Sequence, residues 1–436
     1  MNKIIVMVLV LLSFGVNAQL NIVAVGKAEL EQSKVAVSSA ITQGSISNKN
    51  RDIAKEVMNT VRNDFSFYQK VFSVETELRS INSADINYDS ESVNYFVTGV
   101  FRELPTGLRV SITAHDINKK KILIQQDYDI RDSARDIGHE FSHYTYKEIT
   151  GKESIFKSKI LFVTDRHGSK KNPVKELYLM DFDGGQKRRL TFHKGVVISP
   201  AISNDGSKVL YSLIKDGVDK NKNINLYVLD LETNKTSLIS SRKGINSGAV
   251  FMPDNESILL TLSHTGNAEI YIMNLKTKAL TRLTNHYSPD VDPSINKDGT
   301  LMTFLSGRGG KPMIYTMDMA TRKVTRISYV GKFNATPRFT PEGDQIAFSS
   351  WLDTRFDIFR LDANGNNLAR LTKDFGSNED PTYSNDGQFI AFSSQRVISR
   401  SKAVQNIYIM DNDGEIIGSI TENFGNCITP RWTKSL

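Results

Sequence analysis

One pattern recurs six times from Ile160 to the C-terminus, and it constrains the fold of this 436-residue chain more than any other feature. An apolar residue and an aromatic stand together at Leu177-Tyr178, Leu226-Tyr227, Ile270-Tyr271, Ile314-Tyr315, Ile358-Phe359 and Ile407-Tyr408. The aromatics are 49, 44, 44, 44 and 49 residues apart. Three residues further on come Asp181, Asp230, Asn274, Asp318, Asp362 and Asp411. Hydroxyl residues keep step at Thr191, Ser240, Thr284, Ser328, Thr372 and Thr421, as do the starts Pro200, Ala249, Pro293, Pro337, Pro381 and Pro430. Turn pairs such as Asp205-Gly206, Asp298-Gly299 and Asp386-Gly387 follow the starts and supply the positive φ that tight hairpins need. Four short alternating strands in a period of about 44 residues mark a propeller blade. In the fourth unit the strands, A to D, are expected at Pro293–Asn296, Leu301–Leu305, Met313–Met317 and Lys323–Ile327. Gly and Pro recur where helices would need interiors, so a helical solenoid is excluded.

The ring closes through its ends. The first unit, Lys159 to Phe192, lacks an A strand, and the chain finishes on an A strand, Thr429 to Thr433, with nothing after it. Pairing the two completes a six-bladed ring without exposed edges. The lone cysteine, Cys427, excludes an intramolecular disulfide and any Cys-rich metal or iron–sulfur site. At 39% hydrophobic and 24% charged residues the chain belongs among folding sequences. A net charge of +7 singles out neither nucleic acid nor membrane as partner.

Ahead of the repeat stand two other segments. Lys3, the apolar run Ile4–Val16 and the small-residue end Val16-Asn17-Ala18 form a secretory signal, with cleavage expected after Ala18. The run is too short for the ~20 residues of a membrane span, so residues 1–18 are expected to be removed and the product exported. Residues 19–150 are expected to form a small N-terminal α/β domain, followed over 155–436 by the all-β six-bladed β-propeller. Arg51–Gln69 places Ile53, Val57, Val61 and Phe65 on one helical face. Tyr95–Phe101, Leu108–Ala114 and Ile122–Ile130 read as strands, and Asp136–Thr150 as a helix stopped by Gly151.

The second helix contains His139-Glu140-Phe141-Ser142-His143, which satisfies the H-E-x-x-H pattern of zinc peptidases. A third ligand is missing from the usual continuation, where Tyr146 and Ile149 stand, so a structural helix face is the expectation. A zinc peptidase remains one rival, and a propeller hydrolase or lyase a second. No catalytic, cofactor or metal constellation is otherwise expected. Asp181-Phe182-Asp183-Gly184 and Asp411-Asn412-Asp413-Gly414 sit where hairpin turns are needed and lack the spacing of a calcium loop.

Strand alternation puts the B–C loops and D–A links on one side of the ring. The B–C loops of units six, one and two are long and basic, with Arg166, Lys170, Lys171 and Lys175, then Lys215, Lys220 and Lys222, then Arg396, Arg400 and Lys402. These loops hold a net +8 and become neighbours when the ring closes. The D–A links nearer the channel carry Asp290, Asp292, Glu379 and Asp380. The expectation is a bipolar face that docks a protein.

Starts of the form P-x-x-S/T-x-D-G, centres of the form I-Y-x-M-D, Gly138-His139 through His143 and Glu148-Ile149-Thr150-Gly151 together resemble the TolB family over nearly the whole chain. The resemblance implies a non-enzymatic, monomeric periplasmic scaffold of the Tol–Pal system, supporting outer-membrane invagination at division and envelope integrity. It implies that the peptidoglycan-associated lipoprotein Pal binds at the channel mouth, through Ile245, Asn246, Ser247 and Gly248 and through Asp290, Val291 and Asp292. The repeat extends these to Asn334, Ala335 and Thr336 and to Asn378, Glu379 and Asp380. It further implies that TolA engages the N-terminal segment beginning Gln19, Leu20, Asn21, Ile22 and Val23, with other outer-membrane proteins as further partners and no nucleic acid. Ile245 and Ala24–Lys27 depart from the family pattern.

Overall fold

The computed structural model describes residues 31–81, 85–130, 133–215, 223–399 and 402–435. Ala18, Gln19–Val23, Ala24–Lys27, Lys220, Lys222 and Arg400 lie outside them.

The N-terminal region is a sheet backed by two helices. In chain order its elements are β1 (Ser33–Val37), β2 (Ile41–Thr42), α1 (Asn48–Phe67), β3 (Phe72–Val74), β4 (Tyr95–Leu104), β5 (Gly107–Asp116), β6 (Lys121–Ile130) and α2 (Ala134–Thr150). The sheet order is β3-β1-β4-β5-β6, with β2 also on β4, and β1 pairs in parallel with both of its neighbours. Helix α1 starts three residues earlier than its apolar period indicates, because Ser47 caps it by accepting from the Asn50 N–H. Its buried stripe is Ala54, Val57, Met58, Val61 and Phe65. Helix α2 is capped by Ser133 and ends on Gly151 at φ 70°, the left-handed conformation that glycine adopts at no steric cost. The two helices touch at Gly138, where a β-carbon would lie 2.7 Å from the Thr60 side chain.

Strands β1, β2 and β3 have no counterpart in the sequence reading. Val35, Ala36 and Val37 are all buried, so β1 lacks the alternation by which a half-exposed strand is recognised.

The rest of the chain forms six four-stranded antiparallel sheets. Blade 1 is closed by the C-terminal strand, Cys427–Ser435, which pairs with Ser158–Thr164 as the sequence requires. Blade 4 runs Asp290–Ile295, Leu301–Ser306, Met313–Asp318 and Val324–Arg326. Its A strand begins three residues before the expected Pro293, since Asp290 and Val291 already pair with Ser306 and Leu305. The repeated aromatics pack blade against blade. Tyr271 of blade 3 lies in one cluster with Leu210 and Leu226 of blade 2, and Phe359 of blade 5 lies with Ile314 of blade 4.

The N-terminal region sits on the A–B and C–D turns of blades 6 and 1. A single apolar core runs from Val57, Phe65 and Tyr68 through Phe141 and Phe156 to Phe182 and Phe389. Ring centroids of Tyr68 lie 4.4 Å from Tyr146 and 5.1 Å from Phe389. Among the described residues, nothing from the α/β domain lines the channel mouth on the D–A side.

Candidate functional site

Each A strand carries one bulge where it passes the channel, and the residue there has positive φ. These residues are Ser199, Gly248, Asp292, Thr336, Asp380 and Thr429, with φ between 50° and 60°. The register of A against B shifts at every one of them. Bulges at this point turn backbone and short side chains toward the axis. All six line one cavity at the mouth, of 250 Å³, together with Ile245, Ser247, Val291 and Arg431. Spacing carried this signal, since the six stand at the blade repeat, but nothing in the residue types marked a left-handed position.

The structure thus brings Ile245, Ser247, Gly248, Val291, Asp292, Thr336 and Asp380 to one mouth. It turns Asn246, Asp290, Asn334 and Asn378 inward, where they are fully buried. Asn246 accepts from Ser240 at 2.6 Å and Asn334 accepts from Ser328 at 2.6 Å. Asn378 donates to Thr372 at 3.1 Å, and Asp290 takes a bond from Arg308 at 2.7 Å. Arg308, in the blade 4 B–C loop, is thereby tied to its own blade. Ala335 and Glu379 are half-buried beside the bulges.

These contacts explain the repeated hydroxyls. The hydroxyl of Thr191, Thr284, Ser328, Thr372 and Thr421 accepts from the backbone N–H at the start of strand C, at 2.8–2.9 Å. In blades 1, 3 and 5 it also meets a buried carboxylate, as Thr284 does Glu269 at 2.6 Å and Thr372 does Asp357 at 3.0 Å. Arg189, Arg282 and Arg370 pair with those carboxylates. Each hydroxyl pins the D–A link that shapes the mouth.

Charge at the mouth is organised around two arginines. Arg338 donates to Asp292 at 3.0 Å. Arg431, 8% exposed, is drawn down to about 10 by burial and by the like charge of Arg338. Burial raises the Asp380 carboxyl, and burial together with Asp380 pushes Glu379 up to about 7. On the outer part of this face Arg166, Lys170, Lys171, Lys215 and Lys402 are exposed. Lys175 and Arg396 are half-buried, and Arg396 stacks 4.3 Å from the Phe375 ring. None of these seven has an ion-pair partner among the described residues.

The H-E-x-x-H residues lie on the opposite side, against the propeller. His139 Nδ1 meets Asp64 at 2.9 Å, whereas His143 Nδ1 meets Ser154 at 2.9 Å and its Nε2 meets Glu153 at 3.1 Å. The two imidazoles therefore serve separate partners. Ligand atoms of His139, Asp181 and Asp183 do lie within 4.8 Å of one another. Arg135 occupies that neighbourhood, bonded to Asp183, 3.3 Å from His139 Nε2 and 3.6 Å from Asp181, so a guanidinium supplies the cation. Burial opposes a charge on His139, but Asp64 outweighs it and holds the imidazole pKa above its usual value. The two Asp-rich segments form C–D hairpin turns, in which Asp183 accepts from the Gly185 N–H and Asp411 accepts from the Asp413 N–H.

Fold and site define a six-bladed propeller with an α/β domain clamped on one face and an open, charged mouth on the other. Among the described residues no helix is long and apolar enough to cross a membrane. The chain belongs to the TolB β-propeller family, whose domain model matches residues 146–433. It is 30% identical over 248 residues to the Tol-Pal system protein TolB of Desulfotalea psychrophila, covering 56% of this chain and 54% of that one. It is 28% identical over 231 residues to the TolB homolog of Chlorobium luteolum, covering 52% and 49%. These matches span about half the length of the curated relatives. The crystal structure of TolB from Acinetobacter baumannii superposes over 94% of this chain and 98% of that one, with a TM-score of 0.75 at 25% identity.

Proposed function

We propose that this protein is a non-enzymatic periplasmic scaffold of the Tol–Pal system. In this reading a Pal-type lipoprotein docks on the channel mouth and TolA engages the segment Gln19 to Leu30. The scaffold thereby supports outer-membrane invagination at division and envelope integrity. The observation that carries the reading is the open mouth. The α/β domain sits on the A–B and C–D turns of blades 6 and 1, so among the described residues the bulge ring and the D–A links stay accessible to a protein. Ile245, Ser247, Val291 and Thr336 would make the central contacts. Asn246, Asp290, Asn334 and Asn378 would hold the links in shape from within.

The unpaired cations around blades 6, 1 and 2 would steer the partner's approach. Charge reversal at Lys170, Lys171 and Arg400 should lower the association rate and its salt dependence. The role itself is tested by pull-down from an envelope extract, with the full chain and a chain lacking Gln19 to Leu30. Recovery of a peptidoglycan-bound lipoprotein by the full chain, with TolA lost on truncation, is the expected outcome. Recovery of neither partner by either chain would count against the scaffold.

A further inference from the structure

The channel has a second end. Beneath the A–B turns, on the α/β-domain side, a cavity of 360 Å³ opens around the inner strands. That volume lies in the lower part of the range for small-molecule sites, about 300–1,000 Å³, and suits a body the size of one sugar ring. Its described lining includes the cations Lys297, Arg338, Arg431 and Lys434 and no carboxylate, although Lys297 is paired with Glu342 outside it. Asp292 and Asp380 line the mouth cavity instead, on the far side of the arginines. The channel is therefore polarised along its axis, acidic toward the mouth and basic toward the α/β domain.

Arg431 is the unusual group. It lines both cavities, is 8% exposed, and gives one N–H to the Pro430 carbonyl at 2.7 Å. Among the described residues no carboxylate lies within ion-pair distance of it. Arg338 is better provided, with Asp292 and the Pro337 carbonyl, although its Nε has no partner. Asp380 and Asp292 offset the Arg431 charge from beyond ion-pair distance, on the mouth side. Burying a guanidinium with no carboxylate bonded to it is still costly, and a second guanidinium beside it raises that cost. Buried charges are ordinarily paired, and here the space beside the charge is a cavity. The remaining lining carries hydroxyls at Ser294, Thr340, Thr382 and Thr433, with apolar rings at Phe339 and Trp432. Lys434 is exposed at the rim.

We propose that this cavity binds a small hydroxylated anion, a carboxylate or phosphate on a sugar-sized body, with Arg431 as its charge partner. The guanidinium fork takes the oxyanion in a charge-assisted contact, the threonine and serine hydroxyls meet the ligand's own, and an aromatic ring covers its apolar face. The site shares Arg431 with the mouth cavity, but binding of a small anion there needs no partner protein, so it stands or falls without the scaffold reading.

Trp432 lines the cavity and the chain has two tryptophans, so replacing Trp351 by Phe leaves one reporter. Glucuronate, inorganic phosphate and glucose are titrated into this full-length chain at constant ionic strength. A saturable change in Trp432 emission is expected with an anion and not with glucose. Saturation by glucuronate alone assigns a sugar acid, and saturation by phosphate as well assigns a general oxyanion site. Arg431→Gln should weaken the anion at least about tenfold. Lys434→Ala, at an exposed position that leaves the fold intact, should weaken it about threefold and decides the matter if Arg431→Gln does not fold. No saturable response to either anion, a response to glucose equal to theirs, or parent-like affinity in the folded variants would overturn the proposal.

Discussion

The two faces of the propeller are built from the same repeat and used in opposite ways. On the A–B and C–D side of blades 6 and 1, turn residues are spent on the α/β domain. Asp386 takes a bond from Tyr68 at 2.7 Å, Asp411 and Asp413 pair with Lys70, and Asp183 pairs with Arg135. On the D–A side the links are pinned from within by buried hydroxyls, amides and carboxylates, and among the described residues the α/β domain does not line their mouth. A repeat can therefore serve as a foundation on one face and as a recognition surface on the other, because the two sets of loops leave the blade in opposite directions.

The largest expected effect breaks the foundation. Tyr68→Ala removes a fully packed ring that contacts Tyr146, Phe156 and Phe389. It should cost about 3–5 kcal/mol in urea-induced unfolding. Tyr68→Phe keeps the ring but loses the bonds to Asp386 and to the Ile155 N–H, and should cost about 1–2 kcal/mol. A null result for both would detach the α/β domain from the propeller's stability.

Arg370→Gln tests the inner pinning of the mouth. It strips the closer of two ion pairs from the fully buried Asp357, which Arg355 at 3.6 Å, Thr372 and Asn378 still contact. A loss of about 2–4 kcal/mol is expected, with weaker partner binding as the D–A link loosens. Unchanged stability would place the link's order elsewhere.

Proton linkage separates the faces more finely. Glu379, at the mouth, has its folded pKa raised to about 7 by burial and Asp380. The folded state then holds the proton more tightly than the unfolded one, so this stabilisation is lost as pH rises from about 4.5 to 7. His139, on the clamped face, is also raised, so its stabilisation is present below about pH 6.5 and is lost above it as pH passes the folded pKa. Urea midpoints between pH 4.5 and 9 should flatten in the lower window for Glu379→Gln and in the upper window for His139→Gln. Flattening in the same window for both would contradict the assignment.

The repeat, its closure by the C-terminal strand and the two helices were legible because each rests on periodicity, and periodicity survives without coordinates. The mouth was legible as a place but not as a set of contacts. Neighbouring residues such as Asn246 and Ser247 look equally polar in sequence, yet the first is wholly internal and the second lines the cavity. A bulge sets which of them turns inward, and a left-handed Asp292 or Thr336 carries no mark in its letter. Pairings across the chain were equally hidden. His139 with Asp64, Arg135 with Asp183 and Tyr68 with Asp386 join residues whose separation in sequence says nothing of their meeting. The parallel strand β1 escaped because burial on both faces erases alternation.

The smallest change in stability should accompany the largest change in binding. Val291→Arg and Ile245→Arg place charge on the rim of the mouth, where neither side chain is fully buried. The most direct measurement of the scaffold's central claim is the affinity of a purified Pal-type lipoprotein for these two variants by titration calorimetry, alongside their melting temperatures. Affinity lower by at least about tenfold with melting unchanged is the result expected of a docking mouth. Parent-like affinity in both variants would contradict it and move the partner to another surface.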